Sequence, residues 1–171
     1  MKVFLIGMMG AGKSSIGLIL SKKLGWSFFD TDQLIDVKSY LDNHGMDAFR
    51  LEESKQINKI ITSNIDCIVS IGGGAILSDT NRNIMNQHLC IFLKASIDNL
   101  INRVKNQNIN RPLIKFLNNG DVDRKSFSKI YKQREDYYLD LADFIIDTDS
   151  NEPLNIAMHI KDKIINHEII N

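Results

Sequence analysis

Gly7-Met8-Met9-Gly10-Ala11-Gly12-Lys13-Ser14 is the stretch of this chain whose residue types and spacing most clearly serve chemistry. It fits the pattern of a phosphate cradle, in which glycines let the backbone curl until several N–H groups and a helix N-terminus converge on one anion. Lys13 adds a positive charge near the outer phosphates of a bound nucleoside triphosphate. Ser14 offers a hydroxyl to Mg²⁺, an ion that keeps several waters and takes its remaining ligands largely from phosphate oxygens. Gly10, Ala11, Gly12, Lys13, Ser14 and Ser15 are therefore the expected nucleotide-binding residues, with ATP as the co-substrate. The apolar run before the motif, Val3–Ile6, and the helical spacing of Ile16, Ile19, Leu20 and Leu24 after it supply the strand-turn-helix context that the motif requires.

A triphosphate site does not say where the phosphoryl group goes. Transfer to a hydroxyl benefits from a carboxylate that takes the departing proton and from cations that neutralise the moving charge. Asp30 and Asp32 follow the second apolar run; at extended spacing both side chains project to the same side, one supporting the metal and the other facing the acceptor. The competing reading is that one of them caps a helix through Gln33–Ser39. Arginine is scarce, six residues against fifteen lysines. Arg50 has Glu53 three positions on, a spacing at which the acid can orient the guanidinium. Arg111 precedes Pro112-Leu113, and Arg134 falls within a long helical segment. For any one of these arginines a surface ion pair is the default reading.

The elements that must position these groups alternate. Apolar runs at Val3–Ile6, Ser27–Phe29, Cys67–Ile71, Cys90–Leu93 and Phe144–Ile146 are separated by helical patterns at Ser14–Leu24, Asp47–Thr62, Asp79–Gln87, Ile97–Lys105, Arg124–Leu141 and Pro153–Asn166. Ser78, Ser96 and Asp123 stand at cap positions. This is the pattern of an α/β fold with a parallel sheet between layers of helices, in which ligands bind beyond the C-terminal strand ends. Gly7–Ser14, Asp30–Asp32 and Gly72–Gly74 all follow strands and should meet at one rim. The segment Asn106–Asn110 reads as a mobile loop placed where a lid could swing.

At 171 residues, with 43% hydrophobic and 25% charged residues, the chain is expected to form one soluble domain over 1–171. Its 21 basic and 21 acidic residues imply no broad attraction to nucleic acid or membranes. The N-terminal residues show no secretion signal, which gives a cytoplasmic expectation. Cys67 and Cys90 lie in apolar runs and read as buried structural thiols. The four histidines show no ligand spacing.

Gly7–Ser14, Asp30-Thr31-Asp32, Phe49-Arg50-x-x-Glu53, Gly72–Gly74, Arg111-Pro112-Leu113 and Arg134-x-x-x-Tyr138 together resemble the shikimate kinase family, in order and spacing, over nearly the whole chain. The resemblance implies a P-loop NTPase-like three-layer α/β/α fold akin to nucleoside monophosphate kinases. It implies a five-stranded parallel sheet of order 2-3-1-4-5, a substrate-binding segment over about 31–60 and a lid over about 105–117. The implied reaction moves the γ-phosphoryl of ATP to the 3-hydroxyl of shikimate, on a monomer. Asp32 would then bind substrate hydroxyls and act as base. Arg50 and Arg134 would grip the substrate carboxylate, and Gly72, Gly73 and Gly74 would bring N–H groups to the same molecule. Arg111 would reach the phosphates from the lid, Arg103 would lie against the adenine, and Lys13, Ser14 and Asp30 would serve the phosphates and metal. Ser15 stands where threonine is common, and Glu135-Asp136-Tyr137 replaces a stretch that usually holds a proline. Rival readings are another small P-loop kinase, for gluconate or a nucleoside monophosphate, or a non-catalytic nucleotide-binding module.

Overall fold

The computed structural model describes residues 1–106 and 114–170. Arg111, Pro112 and Leu113, with Gln107–Asn110 of the Asn-rich stretch, lie outside the described residues. The elements run β1 (Lys2–Ile6), α1 (Lys13–Leu24), β2 (Ser27–Asp30), α2 (Thr31–Leu34), α3 (Val37–Ile61) and β3 (Cys67–Ser70). A single 3-10 turn (Ala75–Leu77) follows, then α4 (Asp79–Met85), β4 (Leu89–Lys94), α5 (Ile97–Lys105), α6 (Arg124–Leu141), β5 (Phe144–Asp147) and α7 (Pro153–Ile170). The strands form one parallel sheet in the order β2-β3-β1-β4-β5.

Successive residues of a strand face opposite sides of the sheet, and β1 shows what that does to the core. Val3 and Leu5 join Ile68, Ile91 and Leu93 in a cluster packed by Ile16 and Leu20 of α1 and by Ile156, Ile160 and Ile164 of α7. Phe4 and Ile6 join Val69, Cys90 and Phe92 in a second cluster packed by Ile57 and Ile60 of α3, Met85 of α4 and Tyr138 and Leu141 of α6. Two buried faces explain why the strands are continuously apolar instead of alternating. Both cysteines are buried and unpaired. Burial pushes the Cys90 thiol up to about 12 and raises that of Cys67, so both are unreactive structural thiols.

The register brings three loops to one edge. Asp30 pairs with Ser70, and Ser70 pairs with Leu5, so β1, β2 and β3 all end within about one residue of a common level. Ser78, Ser96 and Asp123 accept hydrogen bonds from N–H groups in the first turns of α4, α5 and α6, as their cap positions anticipate. One reading needs correction. The helical segment expected over Asp47–Thr62 begins at Val37, and Gly45 (φ 77°, ψ 175°) breaks it; the residues from Met46 onward make the expected part. The helix through Arg134 runs unbroken from Arg124 to Leu141, as the absence of proline from Glu135-Asp136-Tyr137 allows.

Gly17 of α1 faces β2: a Cβ there would stand 2.5 Å from Cε2 of Phe28 and 3.2 Å from Cδ1 of Leu5. Gly17→Val should lower unfolding stability by about 1–3 kcal/mol through overpacking. Urea denaturation measures this, and an unchanged midpoint would contradict the close α1–β2 contact.

Candidate functional site

The first wall of the site is the β1–α1 turn. Gly12 adopts a left-handed conformation (φ 89°) and starts α1 without a side-chain cap, which aims the first-turn N–H groups into the rim. The Lys13 ammonium donates to the carbonyls of Gly7 (2.9 Å) and Met8 (3.0 Å), which holds its charge inside the turn. Ser14 and Ser15 are exposed at the helix start. Arg103 of α5 donates to the Gly10 carbonyl (3.4 Å) and the Thr148 hydroxyl (3.1 Å), and also to the Thr148 carbonyl. It thereby ties the turn holding Gly10, Ala11 and Gly12 to the buried start of the β5–α7 loop.

The second wall follows β2. Asp30 ends the strand and caps α2: its Oδ1 accepts from the Asp32 N–H (3.1 Å), and its Oδ2 accepts from Gln33 Nε2 (3.5 Å). Asp32 is thus helical rather than extended, which corrects the expectation that strand pleating puts both carboxylates on one side. Asp30 is buried and Asp32 is exposed. Between them, the Thr31 hydroxyl accepts from the Gly72 N–H (2.8 Å) and couples this wall to the loop after β3.

That loop is the centre of the site, because each of its glycines backs onto a different functional side chain. A methyl on Gly72 would collide with the Asp32 carboxylate and stand 3.1 Å from Glu53 Oε1. One on Gly73 would lie 3.4 Å from Arg134 Nη1 and 3.6 Å from the Gly7 carbonyl oxygen, and one on Gly74 would run into the Arg50 guanidinium. At Gly72 and Gly74 only glycine permits this approach without displacing the charged group. Gly72, Gly73 and Gly74 therefore bring together Asp32, Arg50, Arg134 and the phosphate turn.

The charges are unevenly balanced. Glu53, 2% exposed, accepts from Arg50 Nη1 at 2.6 Å. Burial raises the Glu53 carboxyl above its usual range, the Arg50 charge pulls it back, and the Asp32 charge pushes it further up. Arg134 is 4% exposed, and burial lowers its pKa, the Tyr138 hydroxyl beside it acting in the other direction. Two guanidinium groups thus share one buried acid. Asp32 adds a second, exposed acid at the same loop, and the planar guanidinium groups of Arg50 and Arg134 are of the kind that binds a carboxylate.

A profile described as shikimate kinase matches residues 9–165. The chain is 38% identical to the shikimate kinase of Wigglesworthia glossinidia brevipalpis over 99% of its own length and 94% of that protein. It is 33% identical to the shikimate kinase of Marinomonas sp. (strain MWYL1), over 96% of this chain and 92% of the other. The chain belongs to the shikimate kinase family. Among solved structures, the shikimate kinase from Acinetobacter baumannii in complex with shikimate superposes with a TM-score of 0.85 at 26% identity, covering 97% of this chain and 93% of that one. A gluconokinase from Sinorhizobium meliloti 1021 has a TM-score of 0.65 at 15% identity, covering 99% and 95%, which shows a shared fold alone. The shikimate kinase reading is favoured over the gluconate and nucleotide alternatives.

Several residues of the site carry little local signal in the sequence. Thr31 lies between two more conspicuous aspartates, and nothing local to Thr148 marks its contact with Arg103, 45 residues away. Glu53 was seen only as a partner for Arg50, and its burial follows from the second core cluster rather than from spacing. Tyr138 was a motif letter whose contact lies 65 residues away.

Because the native state holds the Glu53 proton more tightly than the unfolded chain, its contribution to stability is greatest below the ordinary glutamate range and declines as pH rises through the raised native value. Glu53→Gln removes this titration. Urea unfolding of both proteins between about pH 4 and pH 8 should show wild-type stability falling relative to the variant as pH rises. A difference that is flat or grows with pH would contradict it.

Proposed function

We propose that this chain transfers the γ-phosphoryl group of ATP to the 3-hydroxyl of shikimate, giving shikimate 3-phosphate and ADP in aromatic amino-acid biosynthesis. The observation that carries this reading is the Gly72–Gly74 loop, which backs at once onto an exposed carboxylate, two guanidinium groups and the phosphate turn. Family membership supports it, as does the likeness to the A. baumannii protein with shikimate.

In this reading Arg50 and Arg134 bind the shikimate carboxylate, and the Gly73 and Gly74 N–H groups face the same molecule, since Thr31 already takes that of Gly72. Asp32 accepts the proton of the 3-hydroxyl while its oxygen bonds to the γ-phosphorus and the bond to the β-phosphate oxygen breaks. Lys13 and the α1 N-terminus stabilise the outer phosphates throughout. Arg111 approaches them from the lid over about 105–117, within one domain that acts as a monomer in the cytoplasm. Arg103 borders the adenine.

The donor set suits Mg²⁺, because the Ser14 hydroxyl and the Asp30 carboxylate are hard oxygen ligands of the kind this ion takes beside phosphate oxygens and water. A phosphate-bound ion needs only the Ser14 hydroxyl and, through water, Asp30. When bound, Mg²⁺ neutralises phosphate charge. Ser14 is exposed at the start of α1, and Asp30 keeps its carboxylate fixed by the Asp32 N–H.

ADP release should be measured with a panel of hydroxylated acids, gluconate and nucleoside monophosphates. Shikimate alone should support turnover; turnover of another acceptor with none of shikimate rejects the reading. Arg50→Ala should raise the KM for shikimate about ten- to a hundredfold with KM for ATP unchanged. Asp32→Asn should lower kcat by about a hundredfold or more while ATP affinity is kept. A selective loss of ATP binding in the first, or undiminished kcat in the second, would remove those roles.

A further inference from the structure

The carbonyls of the glycine loop are all engaged, but not in the same way. Gly72 O accepts from the Ala75 N–H (3.0 Å), and Gly74 O accepts from the Leu77 N–H (3.1 Å), both within the local turn. Ala75 O and Ile76 O are held from α4 by Asn81 Nδ2 (3.1 Å) and Arg82 Nη1 (2.7 Å). Gly73 O alone depends on a distant element: the hydroxyl of Tyr138, on α6, donates to it at 2.8 Å. That carbonyl shares a peptide plane with the Gly74 N–H, which in a trans peptide points the opposite way. A Gly-Gly peptide has no side chain to resist rotation of this plane, so its direction must be imposed from outside.

Tyr138 is itself well fixed. Its ring stacks on Phe92 of β4, with centroids 5.1 Å apart and planes inclined by 25°. It follows Arg134 by one helical turn, so both side chains project from one face of α6. Burial pushes the phenol up to about 12, with the Arg134 charge acting against the rise, so the hydroxyl keeps its proton and remains a donor at neutral pH.

We infer that Tyr138 is a positioning residue for the acceptor site: its hydroxyl sets the Gly73–Gly74 peptide plane, presenting the Gly74 N–H away from α6, toward the acceptor, in register with Arg134. The inference rests on the phosphoryl-transfer reading above and adds a residue that binds no substrate. A hydrogen bond to one end of a peptide also strengthens the donor at its other end, which makes the presented N–H a better partner for a substrate oxygen.

Tyr138→Phe keeps the stacked ring and removes only the donor. Expected are an about tenfold rise in both the KM and the calorimetric Kd for shikimate, with KM for ATP within about twofold of wild type. Placing p-aminophenylalanine at 138, which restores an N–H donor, should bring shikimate affinity back. A purely structural role would lower the thermal transition and shift both substrates together. Unchanged shikimate affinity, an equal loss for ATP, or no rescue by the amino variant overturns the inference. Should the Phe variant not fold, the amino variant decides alone: near-wild-type KM for shikimate supports the role, and a tenfold rise with an intact thermal transition refutes it. Wild-type protein that fails to phosphorylate shikimate would reject the proposed function, an outcome distinct from all of these.

Discussion

The site depends on a steric constraint: at Gly72 and Gly74 an added side chain would meet the Asp32 carboxylate and the Arg50 guanidinium where they now stand. Asp32, Glu53, Arg50 and Arg134 come from three different helices and converge on the backbone at Gly72–Gly74; a methyl on Gly72 or Gly74 would clash with Asp32 or Arg50, and one on Gly73 would lie in ordinary contact with Arg134. A methyl at Gly72 or Gly74 would oblige the carboxylate or the guanidinium to shift away from the backbone. The glycine loop in turn is anchored to the end of β3, whose register with β1 and β2 determines how near the acid, the guanidinium groups and the phosphate turn come to one another.

Around the loop, electrostatics and burial act against each other. The buried Arg134 and the half-buried Arg50 approach Glu53, the buried acid that pairs with Arg50. A buried charge short of partners is costly, and an anion that completes the set recovers part of that cost. The two guanidinium groups are therefore placed where a carboxylate ligand could add to the set. The phosphate turn follows the same logic, since Lys13 keeps its ammonium solvated by the Gly7 and Met8 carbonyls, at the position where outer phosphates would be met.

Much of this was legible in the residues. The five apolar runs became the five strands, and the capping serines and aspartate marked helix starts, because burial on both faces and end-capping leave local traces. The phosphate turn was legible because its function requires a fixed local spacing. The carboxylates were harder to place. Asp30 and Asp32 were expected on one extended strand, but Asp30 used its side chain to start a helix, so its neighbour two positions on rotated away from pleated geometry. Contacts such as Thr31 to Gly72 and Tyr138 to Gly73 span 41 and 65 residues, and no local pattern encodes them. They arise from the strand order, which was expected from the family resemblance rather than from periodicity.

The break in α3 at Gly45 has a bearing on how such chains diverge. A helix transmits rotation along its length, about 100° for each residue gained or lost, so an indel upstream would ordinarily swing Arg50 and Glu53 off their target. At Gly45 the backbone leaves helical geometry and starts again, which uncouples the phase of the downstream half from the upstream half. A residue gained or lost between Val37 and His44 would thus not carry its 100° turn into the half that holds Arg50 and Glu53.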